Sequence, residues 1–185
     1  MFFPFFEREF NAMTDTKSDT PRIYVACLAS YNSGILHGAW IDATDAETIR
    51  EAIQEMLKRS RCPGAEEWAI HDYEGFGPLR LSEWEDIDQV AELGSLIDKY
   101  GEAFAAYANY VGVDYATEEG FQDAYCGEWD SEEVYGEYLF DELYAHDLPD
   151  HILPYIDYGA FARDLFINDC SSIESDSGVY VFHNC

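Results

Sequence analysis

The chain has 185 residues, 48% of them hydrophobic and 16% aromatic, with a formal net charge of -28 from 38 acidic and 10 basic side chains. This composition can bury a core, which excludes a disordered acidic tail. It also excludes a direct nucleic-acid binder, which needs many cations to displace the counterions around phosphates.

In chain order, the opening MFFPFFEREF is too short for a membrane span and lacks the basic n-region and small-residue cleavage site of a signal peptide. Asn11 to Pro21 is polar and linker-like, so residues 1–21 read as an extension, with Met13 as an alternative start. Ile23–Ala29 and Ile35–Ile41 read as two strands joined by a turn at Asn32, Ser33 and Gly34. Thr44 and Glu47 form a capping-box pattern, and Ile49, Ile53, Met56 and Leu57 at helical spacing predict a helix over about 45–59. Cys62, Pro63 and Gly64 interrupt it, and Trp68–Tyr73 reads as a third strand ending before Gly75 and Gly77. Residues 22–80 thus read as a β-β-α-β module.

Ser82 and Glu85 form a second capping-box pattern, followed by Ile87, Val90, Leu93, Leu96, Ile97, Tyr100, Phe104, Tyr107 and Val111. Residues 81–120 read as a helical middle module, divided at Gly94 and Gly101 because glycine disfavours a helix interior by about 1 kcal/mol against alanine. Ser131 is the expected N-cap of a further helix whose Val134, Tyr135, Tyr138, Leu139 and Leu143 can face a core. Tyr135 and Tyr138 suit either packing or protein recognition. Pro149 and Pro154 break the pattern, Tyr158–Leu165 permits a short helix, and Val179–Phe182 reads as a terminal strand after a turn at 174–178. Residues 121–185 are therefore an acidic α/β module, and the fold class is α+β in three small modules.

The charge is concentrated. Residues 66–150 hold 24 Asp and Glu against Arg80 and Lys99 alone. General solubility or salt adaptation would spread acids over every surface, whereas one anionic stretch points to a partner with a basic groove. Within it, Glu133, Glu137 and Asp141 recur every four residues, so they align on one helix face about 6 Å apart along the axis. Like charges at that spacing repel by roughly 0.2–0.5 kcal/mol per pair. The face is either an anionic recognition surface or an ordinary solvated one. Glu118, Glu119, Asp123, Glu128 and Asp130 extend it on the N-terminal side.

Nothing singles out an enzyme. Close carboxylate pairs support glycoside hydrolysis, but acids this abundant meet by chance, and no nucleophile or proton donor marks a pair. There is no H-E-x-x-H, P-loop, G-x-S-x-G or calcium loop. Cysteines 27, 62, 126, 170 and 185 are odd in number and lack CxxC spacing, which reads as thiols in a reducing cytoplasm. His37, His71, His146, His151 and His183 show no paired ligand spacing, so no metal and no cofactor is expected.

The run IYVACLASYNSGILHGAWID at 23–42 resembles the amino-terminal signature of ArdA-type antirestriction proteins. EEWAIHDYEGF, GEAFAAYANYVG, DYATEEGFQDAYCGEWDSEEVY and LPYIDYGAFARDLF continue the resemblance in family order from about residue 22 onward. It implies an elongated, non-catalytic homodimer that imitates bent duplex DNA and occupies the DNA groove of type I restriction-modification enzymes in the cytoplasm, protecting incoming mobile DNA. The expected phosphate-like positions are Asp114, Glu118, Glu119, Asp123, Glu128, Asp130, Glu132, Glu133, Glu137, Asp141 and Glu142. The alternative partner is another basic DNA-binding protein.

Overall fold

A computed structural model describes residues 20–184. The expected extension up to residue 19, with Met13, and the last cysteine, Cys185, lie outside the described residues. The fold is α+β, built on two three-stranded antiparallel sheets and the helices packed on them.

The first sheet has β1 (Arg22–Cys27) at its centre, between β2 (Gly38–Asp42) and β3 (Trp68–Glu74). Ile23 pairs with Ile41 and Tyr73, and a bulge after Tyr24 brings Val25 opposite Ile70. Helix α2 (Ala46–Lys58) covers one face through Ile49, Ile53, Met56 and Leu57, all buried. The expected strand-strand-helix-strand order stands with one addition. The apolar run at 23–29 does not stay in the sheet: its last paired residue is Cys27, opposite Trp68, and Leu28–Asn32 then forms a short helix, α1. The second strand accordingly starts at Gly38, leaving Ile35 and Leu36 exposed in the connection.

Local capping chemistry also corrects the sequence reading. Asp45, not Thr44, caps α2, its Oδ1 accepting from the Thr48 amide at 2.8 Å. Helix α3 (Ile87–Tyr100) begins at an Asp86 cap, while Ser82 and Glu85 close a separate turn in which Glu85 Oε2 accepts from the Ser82 amide at 3.1 Å. Aspartate wins in both cases because its short carboxylate reaches the first orphan amides and complements the helix dipole.

Gly101, with φ 69°, divides α3 from α4 (Glu102–Val111) as expected. Gly94 does not divide anything. It lies buried inside α3, where an added Cβ would stand 1.9 Å from the Ala43 carbonyl oxygen. The glycine is a close-approach site that lets α3 seat against the turn after β2.

Helix α4 is buried from Ala103 to Ala108 and delivers Phe104 and Tyr107 to an aromatic cluster. Phe121 of α5 (Glu118–Ala124) lies 5.4 Å from Phe104, and Phe182 lies 5.5 Å from Tyr107, ring centre to ring centre. Phe182 belongs to β6 (Val179–His183), the central strand of the second sheet, between β4 (Tyr125–Trp129) and β5 (Cys170–Glu174). One continuous core therefore runs from β1 through α3, α4 and α5 to β6. The opposite face of β6 presents Val181 to Tyr135 of α6 (Glu132–Leu143) and Leu165 of α7 (Tyr158–Asn168). Helices α6 and α7 touch through Gly136 and Ala162, an approach that any larger residue at 136 would obstruct. Val134, expected in this core, points outward at 41% exposure.

Candidate functional site

The acidic surface is built on α5, β4 and α6. Helix α6 starts where Ser131 Oγ accepts from the Val134 amide at 3.2 Å, as expected. Glu132 and Glu133 in the first turn complement the positive end of the helix. Asp141 and Glu142 in the last turn oppose its negative end, with no basic residue there to compensate. A helix selected for stability alone would keep acids in its first turn and place bases, not Asp141 and Glu142, in its last. Glu133, Glu137 and Asp141 are all exposed, as their spacing on one face requires.

The remaining expected positions divide by what holds them. Glu118, the first residue of α5, is already ion-paired: its Oε1 lies 2.5 Å from Lys99 Nζ and accepts from the Tyr100 hydroxyl at 2.8 Å. The Lys99 bond, followed by the Tyr100 bond, holds its carboxyl below the usual range, and Lys99 is raised in return. Asp114 accepts from Gln89 Nε2 of α3 at 3.1 Å. Glu119, Asp123, Asp130 and Glu142 are exposed.

Glu128 and Glu132 are held differently. Glu128 Oε1 accepts from the Ser175 and Ser177 hydroxyls, each at 2.6 Å, and Glu132 Oε1 accepts from Ser172 Oγ at 2.5 Å. Asp141 Oδ1 accepts from the Tyr158 hydroxyl at 3.0 Å, and that bond raises the Tyr158 phenol. Burial, and then the Glu128 charge, pushes the nearby Tyr180 phenol up to about 12. Neutral hydroxyls orient these carboxylates without cancelling their charge, which distinguishes them from Glu118. The roles of Ser172, Ser175, Ser177 and Tyr158 have no counterpart in the sequence reading. The only trace of the serines is the polar run SSIESDSG, and nothing local ties it to acids 40 or more residues earlier.

The structure thus carries Glu132, Glu133, Glu137 and Asp141 on one helix, ties Glu128 and Glu132 to serines of the 172–177 segment, and bonds Asp114 and Glu118 to side chains of α3. Among the described residues no three His, Cys, Asp or Glu side chains converge closely enough to hold a metal ion. No described helix is long and apolar enough to cross a membrane.

A family model for the ArdA antirestriction protein matches residues 23–179. The chain belongs to the ArdA antirestriction family. No curated protein matches the chain. The ArdA match runs from β1 to the first residue of β6 and takes in every carboxylate considered above. Membership makes antirestriction the function of this protein and places its protein partner among restriction enzymes.

Proposed function

We propose that this ArdA-family protein inhibits type I restriction-modification enzymes by occupying the groove that otherwise holds DNA, with its carboxylates in place of phosphates. The observation that carries this reading is the charge density of α6. Five carboxylates fall within its 12 residues. At a rise of 1.5 Å per residue that is one charge per ~3.6 Å, against one per ~3.4 Å along a DNA strand. The hydroxyl-held Glu128, Glu132 and Asp141 add pre-organisation, which reduces the ordering cost of binding. The phosphate-like set is Asp114, Glu119, Asp123, Glu128, Asp130, Glu132, Glu133, Glu137, Asp141 and Glu142, with Glu118 the weakest member because of Lys99.

Inhibition by occupancy needs no turnover. Purified protein should displace labelled DNA from a type I methyltransferase in a gel-shift titration, reversibly on dilution and without altering the DNA. Capture of the enzyme without displacement of DNA would favour a binder of some other basic surface, and recovery of covalently changed DNA or enzyme would favour catalysis.

The same reading takes the protein as an elongated cytoplasmic homodimer of three modules, 22–80, 81–120 and 121–185, acting on behalf of mobile DNA. Two joined anionic chains extend the surface that matches a long groove, and their mutual repulsion requires a neutral contact outside the acidic helix. Light scattering at micromolar concentration and moderate salt should give twice the chain mass, and a monomer there would rule the dimer out.

A further inference from the structure

Away from α6, the turn between β3 and α3 holds a tryptophan in an unusual setting. The Ile70 amide donates to the Glu83 carbonyl at 3.0 Å, tying the turn alongside β3. Glu85 closes it onto the Ser82 amide, and Asp86 caps α3 behind it. Trp84 is fixed in sequence between these anchors, yet 67% of it is exposed. With half-buried Trp68 it lines a cleft of about 370 Å³, whose remaining walls are Arg50, Glu85, Asp86 and Ile87. Two indoles and two carboxylates in one cleft combine the quadrupole that attracts a cation with the charge that pairs with it.

This protein holds its own cations in that way. Arg22 lies with its guanidinium carbon 5.6 Å from the Trp40 ring centre while paired with Glu74. Lys99 Nζ lies 4.9 Å from the Tyr100 ring centre while paired with Glu118. At the cleft itself Arg50 already lines one wall, its Nη2 2.6 Å from Asp88 Oδ2. A guanidinium is therefore tolerated there, and with Arg50 paired to Asp88 the two lining carboxylates, Glu85 and Asp86, leave the cleft net acidic.

We propose that the Trp68–Trp84 cleft is a socket for an arginine side chain of the partner protein. The inference rests on the reading above that the partner presents a basic surface. Arginine is favoured over lysine because its flat guanidinium can stack on an indole while forming paired hydrogen bonds to a carboxylate, and it is more weakly hydrated. The socket supplies what the phosphate-like helix lacks. Carboxylates alone attract any cation, whereas an aromatic wall discriminates between them.

The test uses the full chain and two labelled probes, a nonapeptide rich in arginine and its lysine counterpart, followed by fluorescence anisotropy at moderate salt. The wild type should prefer the arginine peptide. Trp84→Leu, which leaves the charge unchanged, should reduce that preference by about two- to fivefold, and Trp84→Tyr should keep most of it. Tyr155→Leu, at a tyrosine 84% exposed elsewhere, should leave it unchanged. Arg50→Gln should tighten the arginine peptide more than the charge-matched Lys58→Gln, by clearing the socket wall. A Trp84→Leu variant that melts like the wild type and keeps the full arginine preference would overturn the socket, as would a wild type without any preference. Because no restriction enzyme enters this assay, its outcome is independent of the DNA-displacement titration, so each reading can fail alone.

Discussion

Gly94→Ala should destabilise the protein by about 3 kcal/mol, at the upper end of ordinary overpacking. Helix propensity alone gives the opposite sign, since alanine is favoured over glycine in a helix interior by about 1 kcal/mol. Tertiary contact reverses it. The new Cβ would lie 1.9 Å from the Ala43 oxygen and 2.8 Å from its carbonyl carbon. Ala43 cannot retreat easily: it is fully buried, its amide donates to the Pro21 carbonyl at 2.7 Å, and the next residues lead into the Asp45 cap of α2. Helix α3 would have to lift from the first sheet and surrender contacts made by Val90, Leu93 and Ile97. Urea unfolding followed by tryptophan fluorescence should show the midpoint fall, with Ser95→Ala on the exposed side of the same helix moving it little. An unchanged or higher midpoint for Gly94→Ala would disprove this seat for α3.

Neutralising Glu133→Gln, Glu137→Gln and Asp141→Asn together should weaken inhibition of a type I enzyme about tenfold at low salt, or ~1.4 kcal/mol. Shared over three exposed pairs, that lies within the ~0–1 kcal/mol expected of each. Glu133→Gln alone should change inhibition by less than about threefold. Replacing Glu118 and Lys99 together with Gln should do less again, because that removes an ion pair of no net charge. The gap between triple variant and parent should narrow as salt rises, through screening of exposed charges. Folding should be little changed: the repulsion along the face disappears and Asp141 no longer opposes the helix dipole, which offsets the loss of the favourable Glu133 charge in the first turn. The Asp141→Asn change also keeps a side-chain oxygen that can accept from the Tyr158 hydroxyl. Inhibition titrations at two salt concentrations, with thermal melts of each variant, make the comparison. A folded triple variant as potent as the parent at both salts would take α6 out of the recognition surface.

Features governed by neighbours in the chain are legible in the sequence. The apolar spacing of α2 and α3, the Ser131 cap, the break at Gly101 and the one-sided acids of α6 each depend on residues within a few positions of one another. Helical periodicity and capping are local physics, so the residue types state them directly. Features that depend on distant pairing are not legible there. YCGEW and CSSIE carry a glycine, serines and charges without clear alternation, and they become β4 and β5 only because β6 lies between them. The exit of the chain from the first sheet at Cys27 is likewise decided by the register with β3, against an apolar run that continues to Ala29.

The same division applies to the recognition surface. Sequence by itself determined that the protein is a folded polyanion whose charge is concentrated in its centre and repeats along one helix, because composition and four-residue spacing are independent of the rest of the chain. Only the tertiary structure decided which carboxylates are paired with a cation and which are held by neutral hydroxyls. Lys99 reaches Glu118 across 19 residues, while Ser172, Ser175 and Ser177 reach back 40 to 49 residues to Glu132 and Glu128. Whether a carboxylate meets an ammonium or a hydroxyl depends on which strands and helices pack side by side, and that is set by burial of the core between them.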